Sequence, residues 1–332
     1  MARFLKMGVN IDMHEEIEQM IRIQNVTVVG AGTMGHSIAQ VFAQGGFPVQ
    51  LTDKNADALP RARNLIEGNL RTLVKLDLLS EMEQPNILNR IQTTPSLEKA
   101  CEGADLVIEA VFEEPRTKKE LFKVLDEICL PHAILASNTS YLDIFKFVAV
   151  KRPERLLIAH WFAPPHIIPL VEIVCGPQTS QETATALKAL LIQLGKKPIV
   201  LSKFLPGFIV NRLQSALRFE VLYLLEHGYA TAEDIDEATK ASFGLRIPLL
   251  GLVQSMDFGG IDSLQRILRN RAYQPPEVHD RSGIIDGLVA QNRLGVKNGK
   301  GFYDYGGKSA VEVMRERDIK LIRLKKLLQD LG

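Results

Sequence analysis

The stretch from Val26 to Gly35 reads VTVVGAGTMG and decides how the first half of the chain folds. A short β-branched run is typical of a buried parallel strand, and here it passes directly into a G-x-G-x-x-G motif. Gly30 allows the tight turn, Gly32 lets the backbone approach a phosphate, and Gly35 lets the next helix pack against the strand. The N-terminus of that helix attracts an anion. The residues of this loop expected to bind a dinucleotide are Gly30, Gly32, Thr33, Met34 and Gly35.

An acidic residue follows the loop at a suitable distance. Asp53 stands 18 residues after Gly35 and ends a second short apolar run. A carboxylate at this place accepts both hydroxyls of an adenosine ribose and repels a 2′-phosphate, so the cofactor is predicted to be NAD rather than NADP. The alternative is a purely structural glycine-rich turn. The order of strand, glycines, helix and carboxylate favours the dinucleotide.

The bulk composition excludes several classes of protein. At 332 residues the chain is long enough for two domains, and its 46% hydrophobic and 24% charged residues are typical of a globular protein. The formal net charge of +1 gives no reason to expect a nucleic-acid or membrane partner. Four acidic residues among the first twenty argue against a signal peptide.

The cysteines favour a reducing compartment. They are three in number, scattered, and without C-x-x-C spacing, which argues against a disulfide framework and against a zinc site. We therefore expect a cytoplasmic protein without a bound metal. The three residues are Cys101, Cys129 and Cys175.

Strand-like and helical segments alternate as far as residue 201. Strands are predicted at 91–94, 106–111, 133–137, 156–161, 170–174 and 198–201, and helices at 55–79, 117–129 and 181–194. Alternation of this kind predicts a doubly wound, largely parallel sheet, whose later strands are candidates for antiparallel pairing. The fold class is therefore α/β.

The composition changes near residue 205, and the rest of the chain has helical periodicity. Apolar residues from Ile209 to Leu225 predict a long, well-buried helix, and Thr231 is expected to cap the next one. The predicted organisation is an N-terminal extension (1–24, with an amphipathic helix at 11–22), a nucleotide-binding domain (25–205), an all-α domain (206–308) and a C-terminal helix (309–332). A cleft between the two domains is a common place for a substrate.

Two polar residues interrupt neighbouring apolar strands. His160 stands near the end of one and Glu172 lies within the next, with a proline-rich turn between them. A carboxylate in an apolar strand needs a partner, and an imidazole held at Nδ1 can take a hydroxyl proton at Nε2 while hydride leaves the same carbon. The alternative is a satisfied core histidine and a glutamate in a surface salt bridge.

Four motifs resemble the 3-hydroxyacyl-CoA dehydrogenase family. They are the His160–Glu172 pair, SNTS at 137–140, PGFIVNR at 206–212 and GKGFYDY at 299–305. The resemblance implies a Rossmann-type domain, a helical domain that forms a homodimer, and NAD-dependent interconversion of 3-hydroxyacyl and 3-ketoacyl groups.

The resemblance also implies roles for individual residues. His160 is the expected general base and Glu172 its orienting partner. Ser137 is expected to hydrogen-bond the reacting oxygen and His160, and Asn211 to hold the substrate carbonyl. The expected contacts to the cofactor beyond the glycine loop are Asp53, Glu113, Lys118 and Asn138. For Glu113 and Lys118 the alternative is a solvated helix start.

Two departures from the family pattern leave the substrate open. Ala163 replaces the asparagine that commonly follows the catalytic histidine, and Arg246 lies in a segment, SFGLRIP, that usually lacks arginine. Arg246, together with the P-P-x-x-I-P turn at 164–169, is similar to the branch containing gulonate dehydrogenase (lambda-crystallin), carnitine dehydrogenase and a pyridine-carboxylate dehydrogenase, which act on small free acids. Arg246 either binds a substrate carboxylate or forms a structural salt bridge.

Three interpretations follow. An acyl-CoA enzyme, which we favour, needs cations for the nucleotide phosphates. The candidates on the 55–79 helix are Arg61, Arg63, Arg71 and Lys75, and the alternative for these four residues is a solvated helix face. A dehydrogenase of a small hydroxy acid is the second interpretation. A non-catalytic NAD-binding protein is the third, and the joint presence of His160, Glu172, Ser137 and Asn211 argues against it.

Overall fold

The computed structural model describes residues 21–331. The helix predicted at 11–22 lies almost entirely outside the described residues, as does most of the N-terminal extension. The described chain divides into two compact units after Phe208. The finer division into four segments stays a prediction.

The first unit is built on one eight-stranded sheet with the order β3-β2-β1-β4-β5-β6-β7-β8. All neighbouring strands are parallel except β6 and β7. The strands are β1 (Val26–Val29), β2 (Val49–Thr52), β3 (Ile91–Thr94), β4 (Leu106–Glu109), β5 (Ile134–Ser137), β6 (Leu156–Trp161), β7 (Leu170–Cys175) and β8 (Lys197–Leu201). The predicted strands are confirmed to within two residues at each end.

Helices cover both faces of this sheet. They are α1 (Gly35–Gln44), α2 (Ala58–Lys75), α3 (Glu83–Asn89), α4 (Leu97–Cys101), α5 (Pro115–Ile128) and α6 (Gln181–Gln193). One buried cluster joins Phe42 of α1 and Leu187 of α6 to the sheet, and another joins Phe122 of α5. The predicted doubly wound α/β fold is confirmed. Helices α3 and α4 are not predicted from the sequence because both are too short to show a clear helical period.

The second unit is helical. Its helices are α7 (Val210–Glu226), α8 (Ala232–Ala241), α9 (Phe243–Gly259), α10 (Ile261–Asn270), α11 (Gly283–Ala290) and α12 (Ala310–Asp330). Thr231 caps α8 through a reciprocal capping box with Asp234, as its position predicts. Helix α9 is kinked at Gly251, where φ is +71°. In the described part of the chain, no helix combines the length and apolarity that crossing a bilayer requires.

The prediction that α7 is well buried is wrong. The helix forms, but it has no buried side chain, and Leu213 and Leu217 on one face are 45% and 52% exposed. The apolar period of α7 therefore marks a face that residues 21–331 leave exposed.

The glycines of the 30–35 loop are required for different structural reasons. Gly30 has φ +105°, and a Cβ on Gly35 would lie 1.7 Å from the Gly30 carbonyl oxygen. A Cβ on Gly32 would meet no atom within 4 Å. Gly35 is thus required by the close approach of α1 to the strand, whereas the space beside Gly32 is open.

We expect Gly35→Ala and Gly32→Ala to separate packing from binding. Gly35→Ala forces α1 away from Gly30, so the free energy of unfolding should fall by about 1–3 kcal/mol or more. Gly32→Ala should leave unfolding unchanged and weaken NAD binding, because its methyl group points into open space that a phosphate would approach. Denaturant unfolding and titration with NAD measure the two effects. Equal destabilisation by both variants would contradict this assignment.

Candidate functional site

The strand order places a ligand crevice beside the glycine loop. The chain leaves β1 towards β2 on one side, and β4 lies on the other, so the order reverses at β1. In open α/β sheets, ligands bind outside the carboxyl ends of the strands at this reversal. Residues Gly30 to Gly35 stand at that end of β1, with Thr33 exposed and Met34 half-buried.

Asp53 is fixed beside this loop. One carboxylate oxygen, Oδ2, accepts the backbone N–H of Ala31 at 2.8 Å, and Oδ1 accepts that of Asn55 at 2.8 Å. Each carboxylate oxygen has a second lone pair that can accept a ribose hydroxyl. The geometry therefore fits the adenosine end of a dinucleotide.

A buried ion pair lies at the ends of β4 and β5. Nζ of Lys118, on α5, is 2.6 Å from Oε1 of Glu109, the last residue of β4. Both side chains are buried, so the solvated helix start considered for Lys118 is wrong. Glu109 is not among the site residues predicted from the sequence. Its signal is a carboxylate that closes the fully buried strand LVIE.

The Ser137 hydroxyl is hydrogen-bonded to the carboxylate of this ion pair and not to His160. Its Oγ donates to Oε2 of Glu109 at 2.5 Å, and the two residues face each other in the β4–β5 register. The predicted hydrogen bond from Ser137 to His160 is not present, because the hydroxyl is fully buried and already committed to Glu109.

Glu113 organises the turn that follows β5. Its Oε1 accepts from Oγ1 of Thr139 at 2.6 Å, from the Ser140 N–H at 2.8 Å and from the Tyr141 N–H at 3.0 Å, and its Oε2 is 3.4 Å from Nζ of Lys118. Burial raises the pKa of the Glu113 carboxyl, but these hydrogen bonds and the Lys118 charge outweigh it and hold the pKa below its ordinary value. Glu113 is therefore an anion that shapes the turn.

Asn138 and Ser140 are the sequence neighbours of Thr139, whose hydroxyl is bound to Glu113. Oδ1 of Asn138 accepts the backbone N–H of Trp161 at 2.9 Å, which ties the end of β5 to β6. Ser140 is half-buried, and its hydroxyl makes no hydrogen bond to another described residue. Among the three hydroxyls of the SNTS segment, Ser140 thus keeps its donor for a ligand.

His160 and Glu172 form a buried pair. They stand directly opposite each other in the antiparallel β6–β7 register, and Nδ1 of His160 is 2.9 Å from Oε2 of Glu172. His160 is 3% exposed and Glu172 1%, which excludes the surface salt bridge considered for Glu172. Because an ionised carboxylate only accepts hydrogen bonds, Nδ1 carries the proton and Nε2 has the free lone pair.

Aromatic rings enclose the imidazole. The ring centroids of Phe162 and Phe208 lie 4.5 Å and 5.2 Å from that of His160. Phe208 is not among the site residues predicted from the sequence. The signal in the sequence is the PGF segment at 206–208, in which Gly207 adopts φ +75°.

The remaining candidate residues lie on other elements of the chain. Arg71 forms an ion pair with Glu67 at 3.4 Å, and Lys75 ends α2 as an exposed side chain. Asn211 lies in the first turn of α7, in the second unit. Arg246, in α9, is exposed and forms no ion pair with the described residues, so its structural salt bridge is not present.

Comparison with known proteins places both units in one family. Residues 25–204 match the family model of the 3-hydroxyacyl-CoA dehydrogenase NAD-binding domain, and residues 207–305 match that of the C-terminal domain of the same enzymes. A probable 3-hydroxybutyryl-CoA dehydrogenase of Bacillus subtilis is 37% identical over 298 residues, which cover 87% of this chain and 100% of the relative.

Two solved structures are similar over most of their length. The first is 5-formyl-3-hydroxy-2-methylpyridine 4-carboxylic acid 5-dehydrogenase, described as an NAD+-dependent dismutase, with a TM-score of 0.83, 29% identity, and coverage of 93% of this chain and 99% of the other. The second is (S)-3-hydroxybutyryl-CoA dehydrogenase from Ralstonia eutropha, with a TM-score of 0.69, 34% identity, and coverage of 86% and 100%. The chain therefore belongs to the 3-hydroxyacyl-CoA dehydrogenase family and is an NAD-dependent oxidoreductase.

Proposed function

We propose that this protein oxidises the hydroxyl group of a 3-hydroxyacyl-CoA to the ketone, reversibly, with NAD as the hydride acceptor. The observation that carries the proposal is the buried His160–Glu172 pair, in which Nδ1 is engaged and Nε2 has a free lone pair. The names of the Bacillus subtilis and Ralstonia eutropha relatives support the acyl-CoA substrate.

Residues of this chain take and return the proton of the substrate hydroxyl. Nε2 of His160 takes the proton of the substrate hydroxyl while the hydrogen on the same carbon leaves with its electron pair, so the C–O single bond becomes a carbonyl. Glu172 stabilises the imidazolium that forms, and the aromatic rings around it limit access of water. Bound NAD supplies the hydride acceptor. In the reducing direction His160 returns the proton.

We assign the hydroxyl that supports the reacting oxygen to Ser140 and not to Ser137. The oxygen gains negative charge along the reaction, so a fixed donor lowers the barrier. The Ser137 hydroxyl is bound to Glu109, whereas the Ser140 hydroxyl makes no hydrogen bond in the described chain and its backbone is held by Glu113. Asn211 is proposed to hold the substrate carbonyl.

Serine-to-alanine variants at the two positions test this assignment. Ser140→Ala should lower kcat by about 10²-fold, the loss typical of removing one donor to a developing oxyanion. Ser137→Ala should instead lower the free energy of unfolding by about 1–3 kcal/mol, because Glu109 loses a buried donor. Steady-state kinetics and denaturant unfolding of both proteins measure this. A larger loss of kcat in Ser137→Ala than in Ser140→Ala would reverse the assignment.

A second candidate function is the oxidation of a small free hydroxy acid. The pyridine-carboxylate dehydrogenase structure covers 93% of this chain, against 86% for the acyl-CoA enzyme, and has the higher TM-score. The guanidinium of Arg246 forms no ion pair with the described residues and suits bidentate binding of a carboxylate. Arg71 and Lys75 are the corresponding candidates for the phosphates of CoA.

NADH production with 3-hydroxybutyryl-CoA, gulonate and carnitine distinguishes the candidates. We expect turnover of the thioester, and a loss of about 10²–10⁴-fold in kcat for His160→Gln with unchanged NAD affinity, because only the general base is removed. Turnover of a free acid alone, with a KM that rises in Arg246→Ala, would establish the second candidate. NAD binding without turnover of any substrate would leave a non-catalytic protein.

We also propose that the protein is a homodimer that pairs through its helical unit. Isolated exposed apolar residues are common, but in this unit they recur along whole helices, and only Ile235 and Ile322 are buried hydrophobic residues among those described after Phe208. Leu213 and Leu217 lie on one face of α7 and are 45% and 52% exposed. Such a face suits an interface with a second copy of the chain.

Light scattering after gel filtration tests the dimer. The expected mass is twice the 37.0 kDa of the chain. Leu217→Glu should shift the protein towards the monomer because a charge in an apolar interface is costly. Leu78→Glu is the matched control, since Leu78 is 43% exposed but lies in the first unit. A wild-type mass equal to one chain would contradict the proposal.

We further propose a cytoplasmic location and a small-molecule substrate, without nucleic-acid or membrane partners. The scattered, unpaired cysteines suit a reducing compartment, and the net charge of +1 gives no general attraction to a polyanion.

A further inference from the structure

The turn between β6 and β7 connects the two residues of the buried pair. It runs over residues 162–169, with His160 two residues before it and Glu172 three residues after it. Two hydrogen bonds lie within the turn: the N–H groups of Ile167 and Ile168 donate to the Pro164 carbonyl at 2.9 Å and 3.0 Å. Two of its other carbonyls point to a side chain from another element.

That side chain is Lys196, between α6 and β8. Its Nζ donates to the carbonyl oxygens of Pro165 and of Ile168, the latter at 3.1 Å. The same Nζ lies 5.3 Å from the ring centroid of Trp161, the residue next to His160. Lys196 is only 8% exposed. A lysine in such a place is unusual, because burying an ammonium group is costly unless its contacts compensate.

A second contact holds the turn on the side of the glycine loop. The backbone N–H of His166 donates to Oγ of Ser37 at 3.0 Å, and this Oγ is 2.8 Å from Nδ1 of His166. Ser37 is buried in the first turn of α1. The turn is therefore tied to α1 at one point and to the start of β8 at another.

We propose that Lys196 is a positioning residue for the His160–Glu172 pair. The ammonium group draws two carbonyls of the turn together and packs on Trp161, and so fixes how β6 enters the turn and how β7 leaves it. The side chain does not contact the reacting atoms. The inference rests on the catalytic roles proposed above for His160 and Glu172.

The geometry gives this role a kinetic consequence. Hydride and proton transfer need both acceptors in place at once, and a displacement of about 1 Å caused by a distant change can cost about 10²-fold in rate. The ammonium group of Lys196 binds carbonyls of the β6–β7 turn, whereas Asp53 binds the backbone N–H groups of Ala31 and Asn55, so loss of the ammonium group should affect turnover and not NAD binding.

Lys196→Met tests the inference with Lys197→Met as its matched control. Methionine is apolar and of similar length, so the space stays filled while the donors are lost. Lys197 is the exposed neighbour, and its side chain contacts no carbonyl of the turn. We expect Lys196→Met to lower kcat by about 10²-fold with an unchanged dissociation constant for NAD. We expect Lys197→Met to behave as wild type.

A spectroscopic signature separates positioning from general stability. In protein labelled with ¹⁵N-histidine, the proton on Nδ1 of His160 gives a downfield resonance that His160→Gln removes. Loss or broadening of that resonance in Lys196→Met supports the inference. An unchanged resonance overturns it, even when kcat or the melting temperature falls, because the pair is then intact without the ammonium group.

A second variant covers the case in which Lys196→Met does not fold. Lys196→Gln keeps polar donors but reaches less far, so kcat and the resonance should be intermediate; wild-type values for both would overturn the inference. A different result is expected if His160 is not the general base. His160→Gln would then retain activity, whatever the Lys196 variants do.

Discussion

The antiparallel pairing of β6 with β7 is the constraint on which the site depends. In an antiparallel pair, residues directly opposite have their Cβ atoms about 4.5–5.5 Å apart, close enough for a hydrogen bond between side chains. His160 and Glu172 occupy such a position. Because successive side chains alternate between the faces of a sheet, a slip of one residue would turn Glu172 to the other face and leave two polar groups buried without each other. Five consecutive residue pairs fix the register.

Two buried carboxylates in the same sheet have different chemical roles. Glu109 binds Lys118 through one oxygen and Ser137 through the other, so both oxygens are engaged by protein donors and α5 is fixed to the sheet. Glu172 instead holds an imidazole by one nitrogen and leaves the other nitrogen able to exchange a proton. Removing one partner of a buried ion pair typically costs about 3–5 kcal/mol. The first carboxylate therefore stabilises the framework, and the second is the one suited to catalysis.

The sequence predicts the elements better than it predicts their contacts. The strand VTVV, the glycines and Asp53 are all local signals, and the observed loop agrees with them. Only residues 162–169 connect β6 to β7, which is too short for a parallel crossover, so the sequence also indicates that β7 runs antiparallel to β6. The partner of the Ser137 hydroxyl is not, because it depends on the register between β4 and β5, two strands far apart in the chain. Likewise, the period of α7 shows that one face is apolar but not whether the same chain covers it.

Helix α1 connects the two halves of the proposed chemistry. Its N-terminus follows the glycine loop, its first turn holds His166 through Ser37, and Phe42 near its end packs on Trp161 with ring centroids 5.9 Å apart. Trp161 is adjacent in sequence to His160, and the two side chains point to opposite faces of β6. The helix proposed to face the cofactor phosphates is thus packed against the strand that carries the proposed proton acceptor, His160. Because protein interiors are close-packed and deform little, this contact keeps the dinucleotide loop and the imidazole in a fixed relation, as simultaneous proton and hydride transfer requires.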